Sequence, residues 1–395
     1  MNLNNSEILI GCLSKLEDPR AKYNQKHKFL DIVVITILGT LCGADSWNEI
    51  EDWGIANEEW LKEFLDLDNG IPSHDTFNRV FQMIDSKKFH KIFIEWIKTI
   101  LDEAKLSLKG SIAIDGKTVR RSKDNSKKKK PIHVVSAWAT EYSLVLGQEK
   151  VEEKSNEITA IPELLKQLNI QGCTVTIDAM GTQKSIAKQI IQQGGEYILQ
   201  VKENQKALYE DISLYFETDI FNKDKKALTK NGEYYKETSG EHGRIETREY
   251  YINTEIDWLK DRVKNWENLN GIGACKTTVE EDGEKRISLH YSIFSNTKMN
   301  AKEYGMTKRR HWEIENSLHW CLDIAFNEDC SRARKANAAE NLNIIRHMCL
   351  NMLKQEKSCK MGLKGKRKKC GWDATYRLKV LEILLEGTDN TNVCC

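Results

Sequence analysis

The hydrophobic rhythm of the chain changes near residue 110. From residue 6 to about 108, apolar positions recur at helical spacing. Ile32, Val33, Ile35, Ile37, Leu38 and Leu41 make a helix that is apolar nearly all round, which predicts a central place in a helical bundle. An acidic amphipathic stretch follows from Asp45 to Asp68. After turn chemistry at Pro72 and Ser73, Phe77, Val80, Phe81 and Ile84 line one helix. Phe89, Ile92, Phe93, Trp96, Ile97, Ile100 and Leu101 line the next.

Beyond residue 110 the pattern turns to short apolar runs closed by turn residues. SIAIDG, PIHVVSAWAT and SLVLGQEKV read as three strands. The helix NEITAIPELLKQLNI, the strand CTVTIDAMG, the helix TQKSIAKQIIQQGG and the strand EYILQVK follow. The order β-β-β-α-β-α-β predicts a mixed α/β, ribonuclease-H-like sheet, because a doubly wound fold would alternate from its start. From about 205 to 300 the pattern is β-rich, with strands in EHGRIETREYYIN, IGACKTTVEEDG and KRISLHYSIFSN. A helix from about 308 carries RRHWEIENSLHWCLDIAF, and another runs from Ala336 to Lys354. Four segments result: helical 1–108, a ribonuclease-H-like core of 109–204 with 301–354, a β-rich insertion 205–300, and a basic tail 355–395.

Composition narrows the function classes. Lys and Arg number 60 against 59 Asp and Glu, for a net charge of +1. This argues against a uniformly basic polymer binder and against an acidic solvating tail. The balance conceals structure: residues 111–131 carry eight basic and two acidic side chains, and 354–369 carry eight and one, so the remainder is net acidic. A polyanion partner is therefore expected. The longest uncharged apolar run, Ile32 to Ala44, is too short to span a bilayer, and the N-terminus lacks the pattern of a signal peptide. The 11 scattered cysteines contain no CxxC pair and read as reduced thiols of a cytoplasmic protein without membrane partners.

The chemistry-bearing candidates are acidic. Asp115 in AIDGK and Asp178 in TIDAMG each end a strand. With the predicted order, those strands are neighbours, and two close carboxylates require a cation. A third carboxylate, Glu313 or Glu315, lies on the helix after the insertion, and the residues alone do not choose between them. Hard oxygen ligands suit Mg²⁺ or Mn²⁺ in a two-metal site. His311, Glu315 and His319 also form an i, i+4, i+8 stripe that could take zinc, but no HExxH or Cys/His cluster supports it. Phosphate-contacting candidates are Lys117, Arg120 and Arg121 in KTVRRSKDNSKKKK, with Lys202, Arg244, Arg248, Arg309, Arg310, Arg332 and Arg334. His311 and His319 would flank the acidic site or touch phosphate.

The segments DPRAKYNQKHKFLDIVVITILGTLCGADSWNEIEDW, PSHDTFNRVF, IAIDGKTVRRS, TIDAMGTQ, YILQVKENQ, EHGRIETR and RRHWEIENSLHWCLDIAFNEDCSRARKANAAENLNIIR span about residues 17 to 350. Together they resemble the ISAs1 family of bacterial insertion-sequence transposases, which includes the H-repeat-associated proteins. The resemblance implies a DDE transposase with a ribonuclease-H-like core, a β-rich insertion before the last acidic residue, and an N-terminal helical domain that helps recognise DNA. It implies the triad Asp115, Asp178 and Glu315, the last chosen because it precedes Asn316 in an I-E-N match. The Y-R-E-K-like signature of related transposases is departed from at His311 and Leu322. The implied partners are terminal inverted repeats and target DNA, with a homodimer in the DNA complex and a nucleoid association when bound. Alternatives are a catalytically silent DNA-binding descendant and a nuclease without strand transfer.

Overall fold

The computed structural model describes residues 4–123, 130–152, 155–221, 232–241 and 243–383. The chain forms two compact units. A helical unit comprises Met1–Ser107, Gly116–Lys154 and Glu315–Cys395, and a sheet unit comprises Leu108–Asp115 and Ser155–Ile314. This division cuts across the four segments read from the sequence. The N-terminal helices, two strands and the C-terminal helices share one unit.

In the helical unit, α1 (Asn5–Leu13) starts with a capping box between Asn4 and Glu7. The predicted all-apolar helix is α2 (Phe29–Leu41), in which every residue but Leu30 is buried. The acidic stretch forms α3 (Trp47–Ala56), capped by Ser46, and the short α4 (Glu58–Leu61). Then come α5 (His74–Met83) and α6 (Ser86–Glu103), the latter started by the Asp85 carboxylate on two backbone N–H groups. Strands β2 (His133–Ala139) and β3 (Leu144–Lys150) form an antiparallel hairpin with a register shift at Ala137/Trp138.

The long helix α13 (Ala338–Gln355) is buried along most of its length and packs on α2, α6 and β3. Two of its buried amides are used on backbone. Asn351 accepts from Val145 N at 2.8 Å and donates to Val145 O at 2.9 Å, and Asn341 donates to the carbonyls of Phe81 and Ile84. The expected basic tail is instead two helices, α14 (Leu363–Trp372) and α15 (Ala374–Glu382), with Lys366, Arg367 and Arg377 buried. The physical reason is visible at Arg367, whose guanidinium donates to the carbonyls of Thr40, Ala44 and Ala325 and pairs with Asp45.

The sheet unit contains the strand sequence β1-β4-β5-β9-β8-β7-β6. Its strands are β1 (Gly110–Thr118, whose last three residues fall in the helical unit), β4 (Cys173–Ile177) and β5 (Glu196–Val201). The others are β6 (Gly232–Glu241), β7 (Arg244–Asn253), β8 (Gly271–Glu281) and β9 (Glu284–Phe294). β1, β4 and β5 are mutually parallel, linked by α7 (Glu157–Gln167) and α8 (Lys184–Gln192). The chain order β1, β2, β3, α7, β4, α8, β5 is that of a ribonuclease-H-like core.

The β-rich insertion prolongs this sheet, since β9 pairs antiparallel to β5. Strand β6 and helices α9 (Lys206–Tyr215) and α10 (Lys260–Val263) were not expected from the sequence. The helix predicted from 308 starts earlier. α11 (Ala301–His311) is capped by Asn300, a π-helical turn follows at Glu315–His319, and α12 (Trp320–Ala325) completes the run. Among the described residues, no helix is long and apolar enough to cross a membrane.

α11 lies on β6 and β7 over a cluster of Ile198, Tyr250, Ile252, Cys275, Phe294 and Tyr304. Two glycines make room for aromatic rings there. A Cβ at Gly273 would stand 2.6 Å from the Tyr304 ring, and one at Gly305 would stand 2.6 Å from the Tyr250 ring. Replacing Gly305 with Val is expected to destabilise the protein by about 1–3 kcal/mol, as overpacking does. Urea unfolding monitored by circular dichroism would register this as a lowered midpoint at unchanged slope.

Candidate active site

The register between β1 and β4 pairs Ile114 with Ile177, both fully buried. The next residue on each chain is an aspartate, so Asp115 and Asp178 stand side by side at the same edge of the sheet. Neighbouring strands lie about 4.8 Å apart. The apolar runs IAI and TVTI bury the strands, and the polar Asp is the first residue that need not be buried.

The loop after β4 is tightly held. The Asp178 carboxylate accepts from Met180 N at 3.1 Å and Gly181 N at 3.4 Å. Thr182 Oγ1 donates to Gln200 O at 2.6 Å, and Asn204 Nδ2 donates to Ala179 O at 2.5 Å. Gly181 is required, because a Cβ there would stand 2.7 Å from Ile161 Cδ1. Burial raises the Asp178 carboxyl above its ordinary range and Glu157 adds to this, while the two backbone N–H groups and Lys202 pull it back. The local surroundings therefore disfavour the charge on Asp178. A hard cation would relieve that, and the carboxylate donors fit one.

A cleft of about 550 Å³ opens beside Asp178, bounded by Gln200, Lys202, Asn204, Tyr209 and Tyr291. Behind β4, His311 Nδ1 lies 2.9 Å from Thr176 Oγ1, and burial pushes this imidazole down to about 3. His311 is thus a buried group held against Thr176, away from the exposed surface. Three residues earlier, Lys308 is fully buried, and burial pushes its amine down to about 8, with Lys202 lowering it further and Cys275 and Asp178 opposing. Sequence reading singled out its neighbours Arg309 and Arg310 and passed over Lys308. The signal was present, because Tyr304, Lys308 and His311 fall on one helical face.

The other sheet-unit candidates differ in availability. Lys202 is exposed. Arg309 is half-exposed and reaches Glu237 at 3.2 Å. Arg310 is half-buried, Arg244 lies 3.7 Å from Glu246, and Arg248 is bonded to Glu246 at 2.8 Å. Glu313, the alternative to Glu315, is exposed and lies in this unit.

In the helical unit, Glu315 is exposed at the first position of the π-helical turn, 3.5 Å from the buried His319. Such turns inside helices frequently mark functional sites. Burial lowers the His319 imidazole, with Glu315 opposing. Lys117 does not point free into solvent. It pairs with Asp323 and, at 2.8 Å, with Glu328, which is fully buried. Glu328 also accepts from Asn343 at 2.8 Å and faces Arg346 at 3.4 Å. Burial opposes its charge, but Lys117 and Arg346 overcome that and hold it at about 2. Arg120 is exposed and reaches Asp329 at 3.3 Å, joining the turn at Arg120–Ser122 to the turn at Glu328–Cys330. Arg121, Arg332 and Arg334 are exposed on or next to these two turns. The basic run 124–129 lies outside the described residues.

These geometries define a strand-end acidic pair on a ribonuclease-H-like sheet. Comparison with known proteins gives the family. The family model described as "Transposase DDE domain" matches residues 107–352, and "DDE_Tnp_1-associated" matches residues 10–97. The chain belongs to the DDE transposase family. It is 42% identical to "Putative transposase YncI" of Escherichia coli O157:H7 over 95% of this chain and 94% of that protein. It is 39% identical to "H repeat-associated putative transposase YhhI" of E. coli K12, covering 94% of this chain and 97% of that one.

The Glu328 network generates a pH expectation. Its folded-state value lies below the ordinary carboxylate value of 4.5, so the stability it contributes is complete above pH 4.5 and lost as the pH falls towards 2. Thermal melts from pH 6 to pH 3 are expected to show this. Lys117→Met should cost about 3–5 kcal/mol at pH 7, because it strips a fully buried carboxylate of a partner. A melting temperature for Lys117→Met equal to that of the parent would refute the assignment.

Proposed function

We propose that the protein is an active transposase of the ISAs1 type, which cleaves DNA at insertion-sequence ends and joins the freed ends to target DNA. The adjacency of Asp115 and Asp178 at one sheet edge carries the reading, and the family membership supports it. Glu315 completes the acidic set on the strength of the I-E-N resemblance. Asp115, Asp178 and Glu315 would hold Mg²⁺ or Mn²⁺ as a two-ion site. Bound there, the ions supply charge neutralisation for in-line displacement at phosphorus.

Both reactions have the same form. In the first, water attacks the phosphorus at the element end, the P–O3′ bond breaks and a 3′-OH is released. In the second, that 3′-OH attacks a target phosphorus, a new phosphodiester forms and the target strand's own 3′ oxygen leaves. The residues of this chain hold the two carboxylates in register, keep Asp178 oriented through the N–H groups of Met180 and Gly181, and meet phosphate with the exposed Arg120, Arg121, Lys202, Arg332 and Arg334. The terminal inverted repeats and the target are the DNA partners, paired ends call for a homodimer in that complex, and the site of action is the bacterial nucleoid.

Asp115→Asn, Asp178→Asn and Glu315→Gln are each expected to lower Mg²⁺-dependent cleavage of element-end DNA by about a thousandfold, ~4 kcal/mol of barrier, with DNA binding retained. A gel assay of nicking alongside a binding titration checks this. Undiminished nicking in any one variant removes that residue from the set. Parent protein that binds ends but never nicks them with Mg²⁺ or Mn²⁺ would be a silent descendant. Nicking without joining would leave a plain nuclease.

A further inference from the structure

Residues 357–369 contain seven basic and no acidic side chains, and the fold sorts them into two sets. Lys366 and Arg367 turn inward. Lys366 donates to the carbonyls of Leu353 and Glu356, and Arg367 is locked among Thr40, Ala44, Asp45 and Ala325. Lys369 lies over the Tyr376 ring at 4.4 Å. Gly371 lets the helix approach α2 closely, since a Cβ there would stand 2.8 Å from Cys42 O. α14 is therefore fixed from within.

Lys360, Lys364 and Lys368 face outward and are exposed. Lys364, Lys368 and Trp372 recur at i, i+4 and i+8 on one helical face, with Lys360 four residues ahead of them. Each four-residue step advances about 6 Å along a helix. Trp372, at the end of the row, is 76% exposed. Among the described residues, none of Lys360, Lys364 and Lys368 is ion-paired. Two unpaired ammonium groups one turn apart on a fixed helix, with a third on the segment just before it, form an electrostatic footprint for a regularly charged polymer. The outward face offers only Met361 and Trp372 as large apolar groups, too little to insert into a bilayer.

We propose that this outer face of α14 is a DNA-docking surface, distinct from the acidic site, whose lysines take successive phosphates of a duplex and whose Trp372 packs on the sugar edge. The inference rests on the DNA reading above and adds a surface that neither the strand-end acids nor the arginines of the two turns require. Contacts of this kind position the duplex and carry no sequence information. They account for a C-terminal charge run that is conspicuous in the sequence and half-consumed by the fold.

The test uses the full chain, a labelled random-sequence duplex of about 30 base pairs and a chelator, so that binding is read without cleavage. Lys360→Ala/Lys364→Ala/Lys368→Ala should weaken binding roughly tenfold or more near 0.1 M salt and reduce the slope of log K against log salt by about 2–3. Substituting the same three positions with Arg should retain both. All three side chains are exposed, so melting temperatures should match the parent; Lys364→Gln/Lys368→Gln serves as the milder variant and should reduce the slope by about 2. If the parent binds and the alanine and glutamine variants bind with unchanged affinity and slope, the surface is refuted while the transposase reading stands. If only self-association in sedimentation changes, the face serves a protein partner and the proposal is equally refuted. A parent that neither binds nor nicks DNA overturns both.

Discussion

The helical unit depends on one buried ion network. Glu328 has no exposure to solvent, and an isolated carboxylate in that position would be far too costly to keep charged. Lys117, Arg346 and Asn343 satisfy it, so the network joins three parts of the chain: the end of β1 (Lys117), one turn of α13 (Asn343 and Arg346) and the turn after α12 that carries Glu328. The constraint is geometric as well as energetic. Lys117 is two residues after Asp115 on the same strand, so the network fixes the stretch of backbone immediately beyond the first acidic residue. Asp323, also paired with Lys117, adds a second anchor on α12, the helix that follows Glu315 and its π-helical turn.

The same economy governs α13. Helical periodicity finds this helix, but its sequence carries Asn341, Asn343, Arg346, His347 and Asn351, all of them buried. A rule that sends polar residues to the surface misplaces this face. The reason is that the neighbouring elements present unsatisfied backbone: Val145 on the β3 side, and Phe81 and Ile84 at the end of α5. Side-chain amides fill those positions, and hydrogen-bonded burial replaces apolar burial. α2, by contrast, is buried mostly through apolar side chains and is legible at a glance.

What could be read from the sequence follows the same division. The order of strands and helices through β5 was legible because the strand runs are short and largely apolar, with those of β1 and β4 closed by Asp, and the pairing of β1 with β4 then sets Asp115 beside Asp178. Strand β6 was not legible, since GEYYKETSGE has the polarity of a loop and gains its place by pairing with β7. The π-helical turn was hidden as well, because an extra residue per turn leaves no compositional mark. His311 looked like a site residue by its spacing from Glu315, yet Thr176 and the packing of α11 hold it in the core.

Charge was the least legible property, because a basic residue in sequence has no direction. Lys117 sits in the most basic stretch of the chain beside a strand-end aspartate, which favours a phosphate contact, and the fold uses it on Glu328 and Asp323 instead. Arg367 lies within a run of five residues of which four are basic, and it ends up bonded to three carbonyls. Each inward-turned cation removes one unit from the charge that composition assigns to the surface and ties its helix or strand to neighbouring elements. For a protein whose partner is a polyanion, the two effects combine: fewer cations face the polymer, but those that remain stand on elements already fixed, so less conformational entropy is lost when they bind. The number of basic residues thus overstates the size of the surface, and the buried ones explain why that surface is ordered.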